Sequence, residues 1–178
     1  MGTAIDGVLA AGNLPTWIIP AATITTEPTE AAKTIPLAAI TGATTVKADC
    51  YMDFGDVSIK RAATTRSRQR MCQAIAETIT TGETIDITLS SVYDQQALAS
   101  ADVNKVYAAL PEGATVFVAR AYGWDTDTTP TTATKVDLYK ATVQMVTKNE
   151  PASADEDLKV TATLSSPAYW ADVTLTAA

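Results

Sequence analysis

From Val46 onward, apolar and polar residues alternate with a period of two, the pattern of strands that bury one face. Val46, Ala48, Cys50 and Met52 fall on one side of a first segment, with Lys47, Asp49 and Tyr51 opposite. Val57 and Ile59 follow after the turn Asp53-Phe54-Gly55-Asp56. The clearest strand opens after Thr81-Gly82, where Ile85, Ile87 and Leu89 oppose Thr84, Asp86, Thr88 and Ser90. TVFVARAY predicts another over 115–122. Along Lys135–Thr147 the apolar parity changes between Leu138 and Tyr139, which predicts a bulge. Val160, Ala162 and Leu164, then Val173 and Leu175, predict the closing strands. One stretch has helical spacing instead. Val103, Val106, Tyr107 and Leu110 follow a cap at Ser100 and an acidic first turn at Asp102, and Pro111-Glu112-Gly113 stops them.

Residues 1–43 break the alternation. Pro15, Pro20, Pro28 and Pro36 recur at short intervals, and proline removes a ladder donor and holds the preceding residue extended. This part reads as an extended N-terminal arm, in which Trp17, Ile18 and Ile19 either dock on another subunit or cap this chain's own core. On the arm reading, deleting residues 1–43 impairs contacts between copies more than folding. Residues 44–178 then form the main domain. The expected class is mainly β: a β-sandwich or barrel-like fold of about eight strands with one lateral α-helix. No internal repeat is visible.

Composition narrows the function. The 178 residues carry 13 Lys and Arg against 20 Asp and Glu, a net charge of −7. Such a chain is a poor general binder of nucleic acid, which needs cations in excess to neutralise phosphates. Histidine is absent, which removes His-assisted triads and His-ligated zinc or haem, and two cysteines make neither a zinc site nor a multi-bridge framework. No cation precedes Lys33 and no apolar run reaches the roughly 18 residues of a membrane span, so a soluble protein assembled in the cytoplasm is expected, without membrane insertion. Threonine, about one residue in six, suits the pleat through its β-branch and the solvent face through its hydroxyl.

Few residues suggest chemistry. Asp125-Thr126-Asp127-Thr128-Thr129 matches the D-x-D-x-T pattern of haloacid-dehalogenase-type phosphatases, but that chemistry needs a parallel sheet with crossover helices. A solvated loop explains it better. Glu77 and Glu83 flank a glycine turn and read as exposed hairpin charges, not a glycosidase pair. Cys50 reads as a small core hydrophobe, and it and Cys72 as free thiols. The basic run Lys60, Arg61, Arg66, Arg68 and Arg70 reads as an interface that pairs with acidic neighbours on the same or an adjacent subunit. Trp17, Trp124 and Trp170 are candidate interface anchors or core caps. No catalytic residue, cofactor or metal ligand is assigned.

Taken in order, ATTVKADCYM, SIKRAATTRSRQRMCQAIAETITTGETIDITLSSVYDQQ, ALASADVNKVYAALPEGATVFVARAYG and KVDLYKATVQMVTKNEPASADEDLKVTATLSSPAYWADVTL resemble the major tail tube proteins of long-tailed bacteriophages, especially those infecting actinobacteria. The Pro-rich arm and the loop 124–134 lie outside the resemblance. It implies a structural virion subunit of a siphovirus-type tail that forms rings, usually hexameric, stacked into a tube. Its partners would be itself, a tape-measure protein, tail terminator and tail-tip proteins, and DNA that passes through without specific binding. Arg61, Arg66, Arg68, Arg70, Trp17, Ile18, Ile19 and Trp124 become candidate inter-subunit residues, and Asp49, Asp86 and Asp137 candidate lumen residues. An acidic lumen would repel the DNA backbone and let it slide. The alternatives are another virion β-protein, for decoration or head–tail joining, and a surface-binding β-module, which should carry a secretion signal.

Overall fold

The computed structural model describes residues 8–72 and 74–177. Its strands are β1 (Thr16–Pro20), β2 (Thr34–Pro36), β3 (Val46–Lys47), β4 (Val57–Arg68), β5 (Glu77–Val92), β6 (Thr115–Arg120), β7 (Lys135–Lys148) and β8 (Lys159–Thr176). Two one-turn helices accompany them, α1 (Leu37–Thr41) and α2 (Lys105–Ala109). The strands form one sheet in the order β3-β1-β6-β7-β8-β5-β4, and β2 lies parallel to the end of β8. The expected mainly β class of about eight strands is found.

Both faces of the sheet carry a core. Trp17, Ile19, Phe117, Ala119, Val136, Leu138, Val173 and Leu175 bury on one face under Ile35, Ala39 and Ile40. Ile18, Val116, Val118, Tyr139, Ala141, Ile87, Leu89 and Leu164 bury on the other under Val106 and Leu110. This explains the parity change in β7 without a bulge at that point. The strand alternates normally and passes from the first core, at Leu138, to the second, at Tyr139. The register shift beside it places the extra residue on β8, where Asp172 takes a left-handed φ of 55° and its amide donates to Asp137 Oδ1 at 3.1 Å. Aspartate tolerates that conformation better than most residues. The bulge in β7 itself falls at 143–145, so the second core continues at Val146 and leaves Met145 exposed.

The helical segment is shorter than its spacing suggests. A 3-10 turn at Asp102–Asn104 leads into α2, which inserts Val106 and Leu110 into the second core. Asn104 replaces Ser100 as the organising polar residue. Its amide donates to the carbonyls of Asp94 (2.8 Å) and Leu98 (3.1 Å), and its Oδ1 accepts from Asp94 N at 3.0 Å. Gly113, at φ 78°, ends the segment as expected and turns the chain into β6.

Two sequence readings need correction. The N-terminal part is not separate from the sheet: β1 lies between β3 and β6, and Trp17, Ile18 and Ile19 are only 3%, 0% and 0% exposed. Pro20 and Pro36 end β1 and β2, where no interior ladder donor is lost. Residues 48–52 do not continue β3. Asp49–Tyr51 form a 3-10 turn that leaves Cys50 exposed, so it is not a core hydrophobe.

Candidate functional site

The longest uncovered feature is the β4–β5 ribbon. Residues 85–92 of β5 pair with β4 on one side and with β8 on the other over Asp86–Val92. Beyond Ile85 toward the turn, β4 and β5 pair only with each other, from Arg61↔Ile85 to Arg68↔Glu77. Neither face of this stretch is covered, and Met71 and Ile75 at its tip are fully exposed or nearly so, at 109% and 82%. A two-stranded ribbon has little stability of its own, so cross-strand pairs matter here. Arg61 Nε donates to Glu83 Oε1 at 2.5 Å, and Arg68 Nη2 to Glu77 Oε2 at 3.3 Å. The Glu83 hydrogen bond raises the Arg61 pKa and lowers that of Glu83. Glu77 and Glu83 are thus hairpin charges, as the sequence suggests.

Strand alternation divides the basic run. Arg61 shares the odd-numbered face with Val57 and Ile59, and its guanidinium lies 4.3 Å from the Tyr169 ring centroid. Lys60, Arg66 and Arg68 stand on the opposite face of β4, Lys60 directly across from Asp86. Arg66 makes no ion pair among the described residues. Arg70 lies past the end of β4, toward the turn.

The three candidate lumen aspartates separate. Asp86 is exposed on the uncovered face, in a row with Thr84, Thr88, Thr161 and Thr163. Asp137 is half-buried and committed within the chain, accepting from Tyr169 Oη at 2.9 Å as well as from Asp172 N. Burial and that hydrogen bond push the Tyr169 pKa up to about 12. Asp49 is committed more deeply. Its Oδ1 accepts from Thr16 N at 2.6 Å, its Oδ2 from the Thr126 hydroxyl, and Lys47 Nζ lies 3.7 Å away. Asp49 therefore ties the 3-10 turn, β1 and the loop 124–134 together. Asp49→Ala should cost about 1–3 kcal/mol by leaving the Thr16 amide without its acceptor, read as a lower urea midpoint at constant slope.

Trp124 and the aspartates beside it are also engaged locally. Trp124 is half-buried against the first core and its Nε1 donates to Thr128 O at 3.2 Å, while Asp125 Oδ1 accepts from Asp127 N at 2.8 Å. The D-x-D-x-T segment is a self-bonded strap over the β1–β3 edge, held there by Lys47 donating to Thr126 O.

At the end of the ribbon away from its tip lies a groove of about 300 Å³. Ala10, Ala11, Leu14, Met52, Phe54 and Val57 supply its apolar lining, with Cys50 and Arg120 on its wall. Thr16 and Val57 belong to β1 and β4, five positions apart in the sheet order, so the sheet curls to bring them to one groove. Beside it is an acidic surface of Asp53, Glu150, Asp155, Glu156 and Asp157. Lys159 crosses between them to Asp53 (2.5 Å) and Asp56 (2.7 Å), whose hydrogen bonds hold its ammonium above the usual lysine range. Sequence reasoning missed the groove, because its walls come from three segments without a shared motif.

No helix among the described residues is long and apolar enough to cross a membrane. A family model described as Phage tail tube protein matches residues 1–178. The fold is similar to the SPP1 tail tube solved by solid-state NMR and cryo-EM, with a TM-score of 0.55 and 6% identity over 96% of this chain and 81% of that one. A chain of the anti-feeding prophage baseplate solved by cryo-EM also aligns, with a TM-score of 0.47 and 9% identity over 96% of each chain. No curated protein matches the sequence.

Proposed function

This chain belongs to the phage tail tube protein family, a structural component of the virion, and from that premise we propose that its copies close into hexameric rings that stack into the tube of a siphovirus-type tail. The function is then geometric and needs no catalytic group. Sheet edges and projecting segments join copies, a tape-measure protein occupies the tube during assembly, and tail terminator and tip proteins close its ends. DNA later crosses the lumen without being held.

The observation that carries this reading is the division of labour across the sheet. Two cores satisfy the monomer, while a long ribbon and the Thr/Ser-rich part of one face, over β5 and β8, stay uncovered. We assign that face, with Asp86, to the lumen. Asp86 lies across from Lys60 and offsets its charge, and the rest of the row is hydroxyls, so the row offers a polyanion no net counter-charge and DNA gains little by stopping there. Negative-stain microscopy of the purified protein should show rings or tubes with a channel wide enough for duplex DNA. Persistence as a monomer at high concentration would refute the reading. Tubes carrying Asp86→Lys and Thr88→Lys should retain duplex DNA on co-sedimentation at low salt and release it as salt rises, whereas unmodified tubes should not bind it.

A further inference from the structure

The two ends of the β4–β5 ribbon are chemically opposite. Twelve residues of β4 separate them, about 40 Å at strand rise. At the tip, exposed Met71 and Ile75 stand beyond Arg66 and Arg68, and residues 60–84 hold five cations against two carboxylates. At the far end, the turn 53–56 and the loop 149–157 surround the apolar groove with carboxylates, and Phe54 at its lip is 80% exposed.

We infer that the ribbon tip of one copy seats in the groove at the opposite end of the next, with its arginines against the acidic surface around Asp155, Glu156 and Asp157. The inference rests on the tube reading and adds the receptor for the ribbon. Three features of the two surfaces match. Apolar side chains meet an apolar groove, and cations meet carboxylates. The two surfaces also lie at opposite ends of one molecule. A contact between different patches is heterologous and repeats without closing when it runs along an axis, which gives a stack with a direction.

The chain's two cysteines report on this contact. Cys72 sits beside Met71 at the tip and Cys50 on the groove wall, and both are exposed. Treating assembled protein with a short bis-maleimide should give a covalent ladder of dimers, trimers and larger species. Cys50→Ser alone and Cys72→Ser alone should give none. The two variants mixed before assembly should give dimers and nothing larger, because each chain then offers one end. Circular dichroism of each variant checks that it is folded, as expected for exposed thiols. Dimers from either variant by itself would mean that like surfaces meet, and would overturn the inference. Tubes visible by microscopy without any cross-link would overturn it while leaving the tube reading standing. A protein that forms no tubes at all would overturn both.

Discussion

A chain lacking residues 1–43 should fail to fold. The deleted stretch contributes Trp17, Ile18, Ile19, Ile24, Ile35 and Ile40, each no more than 4% exposed. Burying a side chain of this size stabilises by about 1.5–3 kcal/mol, so six of them are worth about 9–18 kcal/mol. A typical domain has only about 5–15 kcal/mol in total. The loss is also structural. Removing β1 strips the partner from β6 over five residue pairs, from Thr16↔Arg120 to Pro20↔Val116, and leaves β3 unpaired. Removing β2 and α1 uncovers Leu138, Val173 and Leu175 on the first core. The expected result is insoluble protein, or soluble protein without a cooperative thermal transition. A truncated chain of 44–178 that melts cooperatively near the full-length midpoint would show that the segment is dispensable, as an arm would be.

That reversal marks where the sequence was legible. β5, β7 and β8 were readable because each buries one face at a time, and Ile85, Ile87 and Leu89 need only one core to explain them. β6 buries both faces, and the turn at Pro111-Glu112-Gly113 and its β-branched and aromatic run marked it instead. β1 was not readable in that way. It buries both faces, so LPTWIIP shows a continuous apolar run between prolines, and periodicity cannot separate such a strand from an adhesive arm. Four apolar residues at period two were likewise too few to distinguish a strand from the turn at Asp49–Tyr51. Of the assembly surfaces, the basic run was visible because its arginines are adjacent in sequence. The groove was invisible, since residues 10–14, 49–57 and 120 meet only after the sheet has curled. Asp49 looked like a polar outward position by alternation. Its role depends on Thr126, 77 residues away, which no local pattern connects to it.

Shortening the ribbon should separate folding from assembly. Replacing residues 63–83 with Asn-Gly joins Ala62 to Thr84, which face each other across the ribbon, through a two-residue turn that matches the twist of a hairpin. The excised residues bury nothing in either core, and Arg61 keeps its place over Tyr169. The monomer should therefore melt within a few degrees of the parent, a change of about 1 kcal/mol or less. Assembly should respond quite differently. Met71 and Ile75 are lost together with Arg66, Arg68 and Arg70, an apolar anchor and its charged surround. Losing one such anchor costs about 2–4 kcal/mol in an interface. At 1.4 kcal/mol per factor of ten, the concentration needed to form tubes should rise by about 30- to 700-fold. Sedimentation across a dilution series reads that threshold directly. Because the charged part is screened by salt and the apolar part is not, the parent's threshold should rise with ionic strength and then level off. In the shortened chain the dependence should be nearly flat. Tubes forming at the parent's threshold without residues 63–83 would remove the ribbon from the stacking contact, and the groove would then need another occupant.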